Sequence, residues 1–466
     1  MDQTIMQDRD QALEDSMEKI LELIEEKKYF MVRDEMLKYN EADIAEMFEE
    51  LLDDDDIFES TMVCYRLLPK AVSVEVFSFL PVDDQLKIVE KITTKELSYI
   101  VEQLDFDDKI DILEELPANI VNTILENTPK EERHLINQFL NYPDDCAGSL
   151  MTPEYISLNK DMTVAEAMAH IKKEGMDAET IYTCYVKDFG RKLIGIVSLS
   201  TLVISDDNVK IRDIMHSDFV YLNVYDDQEE VADEFKKYGF LAMPVVDSEL
   251  RLVGIITVDD IIDVIEEENT EDFEKMAGLM PSEEEYLKTS PFRLALNRIP
   301  WLLIMAAVAL FTGMIIKSFE DVLATSIVLT SCIPMLMNTG GNCGSQASTL
   351  IIRGIALGEI EFRDLFRALW KEFRVGAMVG AVLAVFTFLL VTFIYGAAPA
   401  EAFVVALALY ATVLIAKALG CTLPLLARKV GFDPALMASP LITTLVDATS
   451  LTIYFIIATA ILKIAL

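Results

Sequence analysis

Histidine is scarce in this chain. Only His134, His170 and His216 occur among 466 residues, and none lies in the apolar last third. No Ser/His/Asp or Cys/His set can therefore be assembled, and no imidazole cluster is available for zinc or nickel. A non-enzymatic role is expected. The six cysteines (Cys64, Cys146, Cys184, Cys332, Cys343, Cys421) are scattered and show no CxxC spacing, which fits unpaired thiols in a reducing cytosol. Basic residues are also few, 39 Lys and Arg against 78 Asp and Glu. An excess of carboxylates repels phosphate, so nucleic acid is excluded as a partner. The first residues, MDQTIMQDRD, are acidic and polar, so no cleavable signal peptide is expected.

What the chain does have is acid at one end and long apolar runs at the other. Residues 1–290 hold 27 basic and 69 acidic residues, a net of −42, while residues 291–466 hold 12 and 9. Dense carboxylates suit divalent cations, although they also serve simply to keep a domain soluble.

Residues 1–148 read as short amphipathic helices. A 24-residue offset superposes Phe77-Ser-Phe-Leu-Pro-Val-Asp-Asp84 on Val101-Glu-Gln-Leu-Asp-Phe-Asp-Asp108, each followed by a helix of matching apolar spacing. The repeated Asp pairs fall where helices start, a position that favours carboxylates through the macrodipole. Such repeats stack into a superhelix.

A second repeat follows. Met151–Leu158, a helix near Val164–Ile171, Thr180–Val186 and Leu193–Val197 are echoed by Met215–Leu222, a helix at Glu229–Tyr238, Ala242–Val246 and Leu252–Val258. Each half reads strand–helix–strand–strand–helix. This resembles a tandem pair of cystathionine-β-synthase (CBS) domains over 149–263, a type of module that is regulatory and often holds adenosine nucleotides. The Ser/Thr-x-x-Asp pattern for the ribose is present as Thr257 and Asp260 in the second copy. In the first copy Ser198 is followed by Thr201, so weak or absent ATP binding is expected. Residues 264–290 then form an acidic connecting helix, with Glu268, Glu271 and Asp272 on one side by their spacing.

Uncharged stretches run Ile299–Ile316, Val322–Ile352 and Val375–Ala400. Ala402–Ala427 is broken only by Lys417, and Pro434–Leu462 only by Asp447. Each is long enough to cross about 30 Å of hydrocarbon, which predicts five transmembrane helices in 291–466. Arg293, Arg298, Arg353, Arg363, Arg367, Lys371, Arg374, Arg428 and Lys429 all flank one side. That side is inside, placing the N-terminus in the cytosol and the C-terminus outside. The second stretch contains Pro334 and Asn338-Thr-Gly-Gly-Asn-Cys-Gly-Ser-Gln346, a composition that allows close packing or an unwound backbone beside a wet cavity. Asp447 is the telling residue. A lone carboxylate in an apolar helix faces water, an ion or a counter-charge, and the nearest such charge in sequence is Lys417. A homodimer would bring two copies of Asp447 to the two-fold axis, and Mg²⁺, which keeps several waters, is held by one or two carboxylates.

The order of parts resembles the MgtE family of bacterial magnesium channels and transporters over nearly the whole chain. The most specific pieces are Gly340–Gln346, Gly431-Phe-Asp-Pro-Ala-Leu436, Leu445-Val-Asp-Ala-Thr-Ser450, Asp177–Tyr182 and Asp226–Val231. The resemblance implies an all-α helical superhelix (1–148), an α/β tandem CBS pair (149–263), a plug helix (264–290) and an all-α membrane domain of five transmembrane helices (291–466). It implies a homodimeric Mg²⁺-selective pore in the bacterial inner membrane. Asp447 would hold the hydrated ion and Asp433 would stand at the cytosolic mouth. Regulatory Mg²⁺ would be held by Asp227, Glu229 and Asp260 of the CBS pair, by Glu268, Glu271 and Asp272 of the plug helix, and by Asp108 of the superhelix on a weaker alignment.

Charge alone suggests how such a device works. Acidic domains repel one another and the plug helices, and bound Mg²⁺ offsets the repulsion and closes the pore. The alternative is an ion-coupled secondary transporter of Mg²⁺ or Co²⁺, which would show inverted repeats that five helices do not supply.

Overall fold

The computed structural model describes residues 3–282, 286–320 and 326–462. The chain forms two compact units, Met1–Val264 and Ile265–Leu466.

The first unit begins with ten described helices between Gln3 and Phe139. After Gln3–Glu25, none exceeds the 12 residues of Glu41–Leu52. Helices this short are marginal alone, so packing must hold them. Pro69, Pro81, Pro117 and Pro129 each stand directly before a helix, where a fixed φ suits the turn. Thr93 and Glu96 close a capping box on Thr94–Gln103. Helices pack on the one two places along, as Val82–Lys91 does on Phe106–Glu115 and Thr94–Gln103 on Ala118–Asn127, the pattern of a stacked array. The 24-residue repeat is visible in these helices, with Asp83 and Asp84, and then Asp107 and Asp108, in matching first turns. Their surroundings differ. Asp84 is fully buried against Lys87 at 2.8 Å, and among the described residues no such base accompanies Asp108.

Two three-stranded sheets follow: β1 (Tyr155–Asn159), β2 (Thr180–Lys187) and β3 (Leu193–Ser198), then β4 (Leu222–Asn223), β5 (Ala242–Val246) and β6 (Leu252–Thr257). In each, the first pair is parallel and the second antiparallel, as the strand–helix–strand–strand order requires. The copies are interlocked. Thr152 bridges to Ile255 and His216 to Ile196, so each copy's lead-in pairs with the other's last strand. Gly254 and Gly195 make this possible, since a Cβ at either would lie 2.8 Å from the sulfur of Met151 or Met215.

The last helix of the second copy runs unbroken from Val258 to Ala277 and is also the connecting helix. No glycine or proline interrupts it before Gly278, whose φ of 74° ends it.

In the second unit, four segments are long and apolar enough to cross a membrane: Pro291–Ser318, Phe362–Phe393, Pro399–Val430 and Pro434–Leu462. A fifth long helix, Ile333–Ala356, lies between the first two. The expected single span over 322–352 is corrected here. Residues 322–325 lie outside the described residues, and the remainder is a short helix Ile327–Ser331 and then Ile333–Ala356, divided at Cys332 just before Pro334. Proline cannot continue the hydrogen-bond ladder, so the chain restarts there. Among the described residues the five long helices of this unit, read together as membrane helices, are in order Pro291–Ser318, Ile333–Ala356, Leu365–Phe393, Pro399–Val430 and Ser439–Leu462. The second packs closely on the fourth and fifth through glycine. A Cβ on Gly420 would sit 2.3 Å from the Gly344 carbonyl oxygen, and one on Gly341 2.7 Å from Thr443.

Candidate ion-binding sites

Two places collect carboxylates, and a third holds one alone. The first is made where helix and strand starts converge in the first unit. Asp105 precedes helix Phe106–Glu115, Glu154 precedes β1, and Glu179 precedes β2, with the Glu179 N–H donating to the Glu154 carbonyl at 2.8 Å. One carboxylate oxygen of each lies within 4.8 Å of the others. Asp107, Asp108 and Asp260 add their charge to this group. Burial, and then the neighbouring Asp107, push Asp108 up to about 8 and Asp260 up to about 7. Glu179 rises to about 8 through burial and then Asp107 and Asp105, and Glu154 to about 7 through burial and then Asp105. Oδ1 of Asp107 is buried without a hydrogen-bond partner among the described residues. An all-oxygen set that resists losing its protons, with an unsatisfied oxygen beside it, suits a hard divalent cation.

Asp260 sits in the first turn of the connecting helix and accepts a 2.8 Å hydrogen bond from Thr257 Oγ1. In the first copy, Ser198 and Thr201 join their hydroxyls at the same distance and bring no carboxylate.

The second place is at the other end of the connecting helix. Lys275 lies 2.7 Å from Glu271 and 2.8 Å from Asp433, which precedes the 3₁₀ turn Pro434–Met437. Asp272 is close enough to feel Asp433, and burial followed by that charge raises its carboxyl above the ordinary range.

The third is Asp447, half-buried in the fifth membrane helix, one turn beyond the Thr443 that meets Gly341. Its carboxylate has no ion pair or hydrogen bond among the described residues. Lys417 is not its partner: that ammonium faces Glu372 at 3.6 Å, both groups being buried. On the second membrane helix, Asn338, Asn342, Gln346, Thr349 and Arg353 form an exposed stripe, with Asn342 donating to Asn338 at 3.4 Å.

The expected ligands thus divide. Asp108 and Asp260 come together, as do Glu271, Asp272 and Asp433. Asp227 is exposed and caps helix Gln228–Tyr238 by accepting from the Glu229 N–H at 3.0 Å, and Glu229 is likewise exposed; Glu268 is half-buried. Asp105, Asp107, Glu154, Glu179 and Lys275 escaped sequence reasoning as site residues. Asp105, Glu154 and Glu179 all sit inside the repeats and motifs singled out above, which was the available signal.

A family model for the MgtE intracellular N domain matches residues 39–145, CBS domain models match 147–205 and 211–267, and the MgtE model, described as a divalent cation transporter, matches 333–457. The magnesium transporter MgtE of Thermus thermophilus is 36% identical over 439 residues, covering 93% of this chain and 95% of that protein. The magnesium transporter MgtE of Bacillus subtilis is 33% identical, covering 89% and 93%. A crystal structure of the cytosolic domain of the Mg²⁺ channel MgtE in complex with ATP is 34% identical, covers 53% of this chain and 99% of that one, and has a TM-score of 0.49. With both compact units matched and a relative of this identity aligned along nearly its full length, the chain belongs to the MgtE family.

Proposed function

We propose that this multi-pass membrane protein is a Mg²⁺-selective channel or transporter of the bacterial inner membrane, not an enzyme, which works as a homodimer and closes when intracellular Mg²⁺ rises. The observation that carries the reading is Asp447. Within an apolar helical unit where Glu372 has Lys417 and Asp433 has Lys275, it alone of these three carboxylates has no cation. An uncompensated carboxylate at that depth is costly unless water or a passing ion meets it.

The exposed amide stripe of Ile333–Ala356 supports the dimer. Lipid cannot hydrogen-bond Asn338, Asn342 or Gln346, so a water-filled path shared with a second copy would cover them. Glycine packing against the fourth and fifth membrane helices holds this stripe in place. The basic residues at the ends of the membrane helices support a topology with the acidic unit and the N-terminus in the cytosol and the C-terminus outside.

Residues 1–148 and 149–263 then act as the sensor, 264–290 as the plug and 291–466 as the pore. Asp105, Glu154 and Glu179, with Asp107, Asp108 and Asp260 beside them, would hold regulatory Mg²⁺. Asp260 begins the helix whose last turn carries Lys275, so an ion there acts directly on the plug element. Asp227, Glu229 and Glu268 remain candidate ligands on the same helices, and ATP, if it joins the CBS pair, would share Thr257 and Asp260 with Mg²⁺.

Single-channel recording of the full chain, with cytosolic Mg²⁺ raised through the millimolar range, tests this. Mg²⁺ currents whose open probability falls with Mg²⁺ are expected. Uptake that requires a proton or Na⁺ gradient would instead make the protein a coupled transporter.

A further inference from the structure

Lys275 occupies a place where repulsion would be expected. Glu271, Asp272 and Asp433 are three acids converging on one spot, and Lys275 touches two of them. A Glu–Lys pair four residues apart on a helix is routine and worth little. The contact with Asp433 is of another kind, because it ties the connecting helix to the loop before the fifth membrane helix. That loop carboxylate is not free to wander. Its Oδ1 accepts the Ala435 N–H at 2.7 Å, leaving Oδ2 to face the ammonium. Burial works against the charge on Lys275, but the hydrogen bonds it donates to Asp433 and Glu271 outweigh it and hold the ammonium above its ordinary range.

The end of the same helix is seated as well. Gly278 lies so close under Trp301 of the first membrane helix that a Cβ there would come within 2.2 Å of the indole. The Met280 N–H donates to the Asn297 carbonyl at 3.1 Å.

We infer that Lys275 is a positioning residue for gating: its ammonium pins the connecting helix to Asp433 in the absence of Mg²⁺, so the closed arrangement is partly built in and Mg²⁺ adds to it. The inference rests on the channel reading above. It differs from simple screening, in which the helix would drift from the mouth whenever Mg²⁺ is removed.

The test uses the full chain in lipid bilayers with cytosolic Mg²⁺ chelated. Lys275→Gln should raise the ratio of open to closed by about tenfold, within the usual range for coupling between two sites. Lys275→Arg, which keeps the charge, should recover most of the difference. An unchanged ratio in Lys275→Gln would show a solvated pair with no role. A lowered ratio would make Lys275 a competitor of Mg²⁺ for these carboxylates, and either result overturns the pin. A second measurement does not depend on conduction. The chain has two tryptophans, so Trp370→Phe leaves Trp301 alone to report on the seat of Gly278. Lys275→Gln in that background should shift its emission to the red and increase quenching by acrylamide. Unaltered emission and quenching would sink the pin whether or not the protein conducts, whereas a wild type without Mg²⁺-dependent current would sink the channel reading alone.

Discussion

The two units treat their carboxylates in opposite ways. In the first unit, Asp105, Asp107, Asp108, Glu154, Glu179 and Asp260 crowd one another, and burial and like charge raise Asp107, Asp108, Glu154, Glu179 and Asp260. In the second unit the buried Glu372 is matched to Lys417 and Asp433 to Lys275, whereas Asp447 has no base among the described residues. The difference shows where to look for a cation. Acidity as such says little, because most surface carboxylates are solvated. A carboxylate that is buried and has no base is the informative one, and both units contain such groups. One set is many and adjustable, as a sensor needs. The other is single per chain, as a pore needs.

The sharpest break in this comparison is Asp447→Asn, which keeps the side-chain shape and removes the charge. Mg²⁺ flux into proteoliposomes should fall to background while the protein still inserts and folds. Full flux would return Asp447 to the status of an ordinary polar residue. Next in size is the matched pair. Glu372→Gln strands the buried Lys417 charge, and breaking a buried pair from one side costs about 3–5 kcal/mol. Thermal unfolding in detergent should show that loss, and the double change Glu372→Met with Lys417→Met should recover most of it.

Much of this contrast is written in the sequence, and some of it cannot be. The asymmetry of charge, both repeats, the apolar helices and the isolation of Asp447 are one-dimensional patterns, readable because helix length and period translate directly into burial. The pairings are not. Glu372 stands just outside the uncharged stretch beginning at Val375, so it reads as an interfacial residue until its helix is seen packed against the one bearing Lys417. Lys275 looks like the partner of Glu271 alone, since nothing local reveals Asp433. Glu154 and Glu179 read as residues ahead of strands, and only the parallel pairing of β1 with β2 sets them side by side. The break at Cys332 was signalled by Pro334, but hydropathy carried the expected span straight through it.

The crowded cluster can be thinned as the paired one can be broken. Asp105→Asn removes a like charge from the cluster and Glu179→Gln removes a carboxyl that must hold a proton to stay buried, so the metal-free first unit should gain about 1–3 kcal/mol at neutral pH. Hydrogen exchange of the full chain over residues 105–116 would report this as added protection without Mg²⁺. Mg²⁺ should then add less protection than it does in the wild type. An undiminished Mg²⁺ effect would place the sensor's ligands elsewhere, with Asp227, Glu229 and Glu268 next in line.

The smallest effect expected is also the one whose sign is most diagnostic. Asp108 and Glu179 titrate near 8, and Glu154 and Asp260 near 7, all above their ordinary values. Raised acids bind protons more tightly folded than unfolded, so their contribution to stability is complete below about pH 4 and is lost as pH rises through 7 to 8. Metal-free protein should therefore lose protection over residues 105–116 between about pH 6 and about pH 9. Mg²⁺ requires the deprotonated carboxylates, so it should offset that loss, bind more weakly as pH falls below 7, and release protons on binding near neutrality. Calorimetry of Mg²⁺ binding in buffers of different ionisation enthalpy would count those protons. In the membrane unit Asp433 is already matched by Lys275, so neutralising it should leave the proton count almost unchanged. If Asp433→Asn removes the proton release and Glu179→Gln does not, the two clusters have exchanged roles, and the paired site at the mouth is the one that senses Mg²⁺.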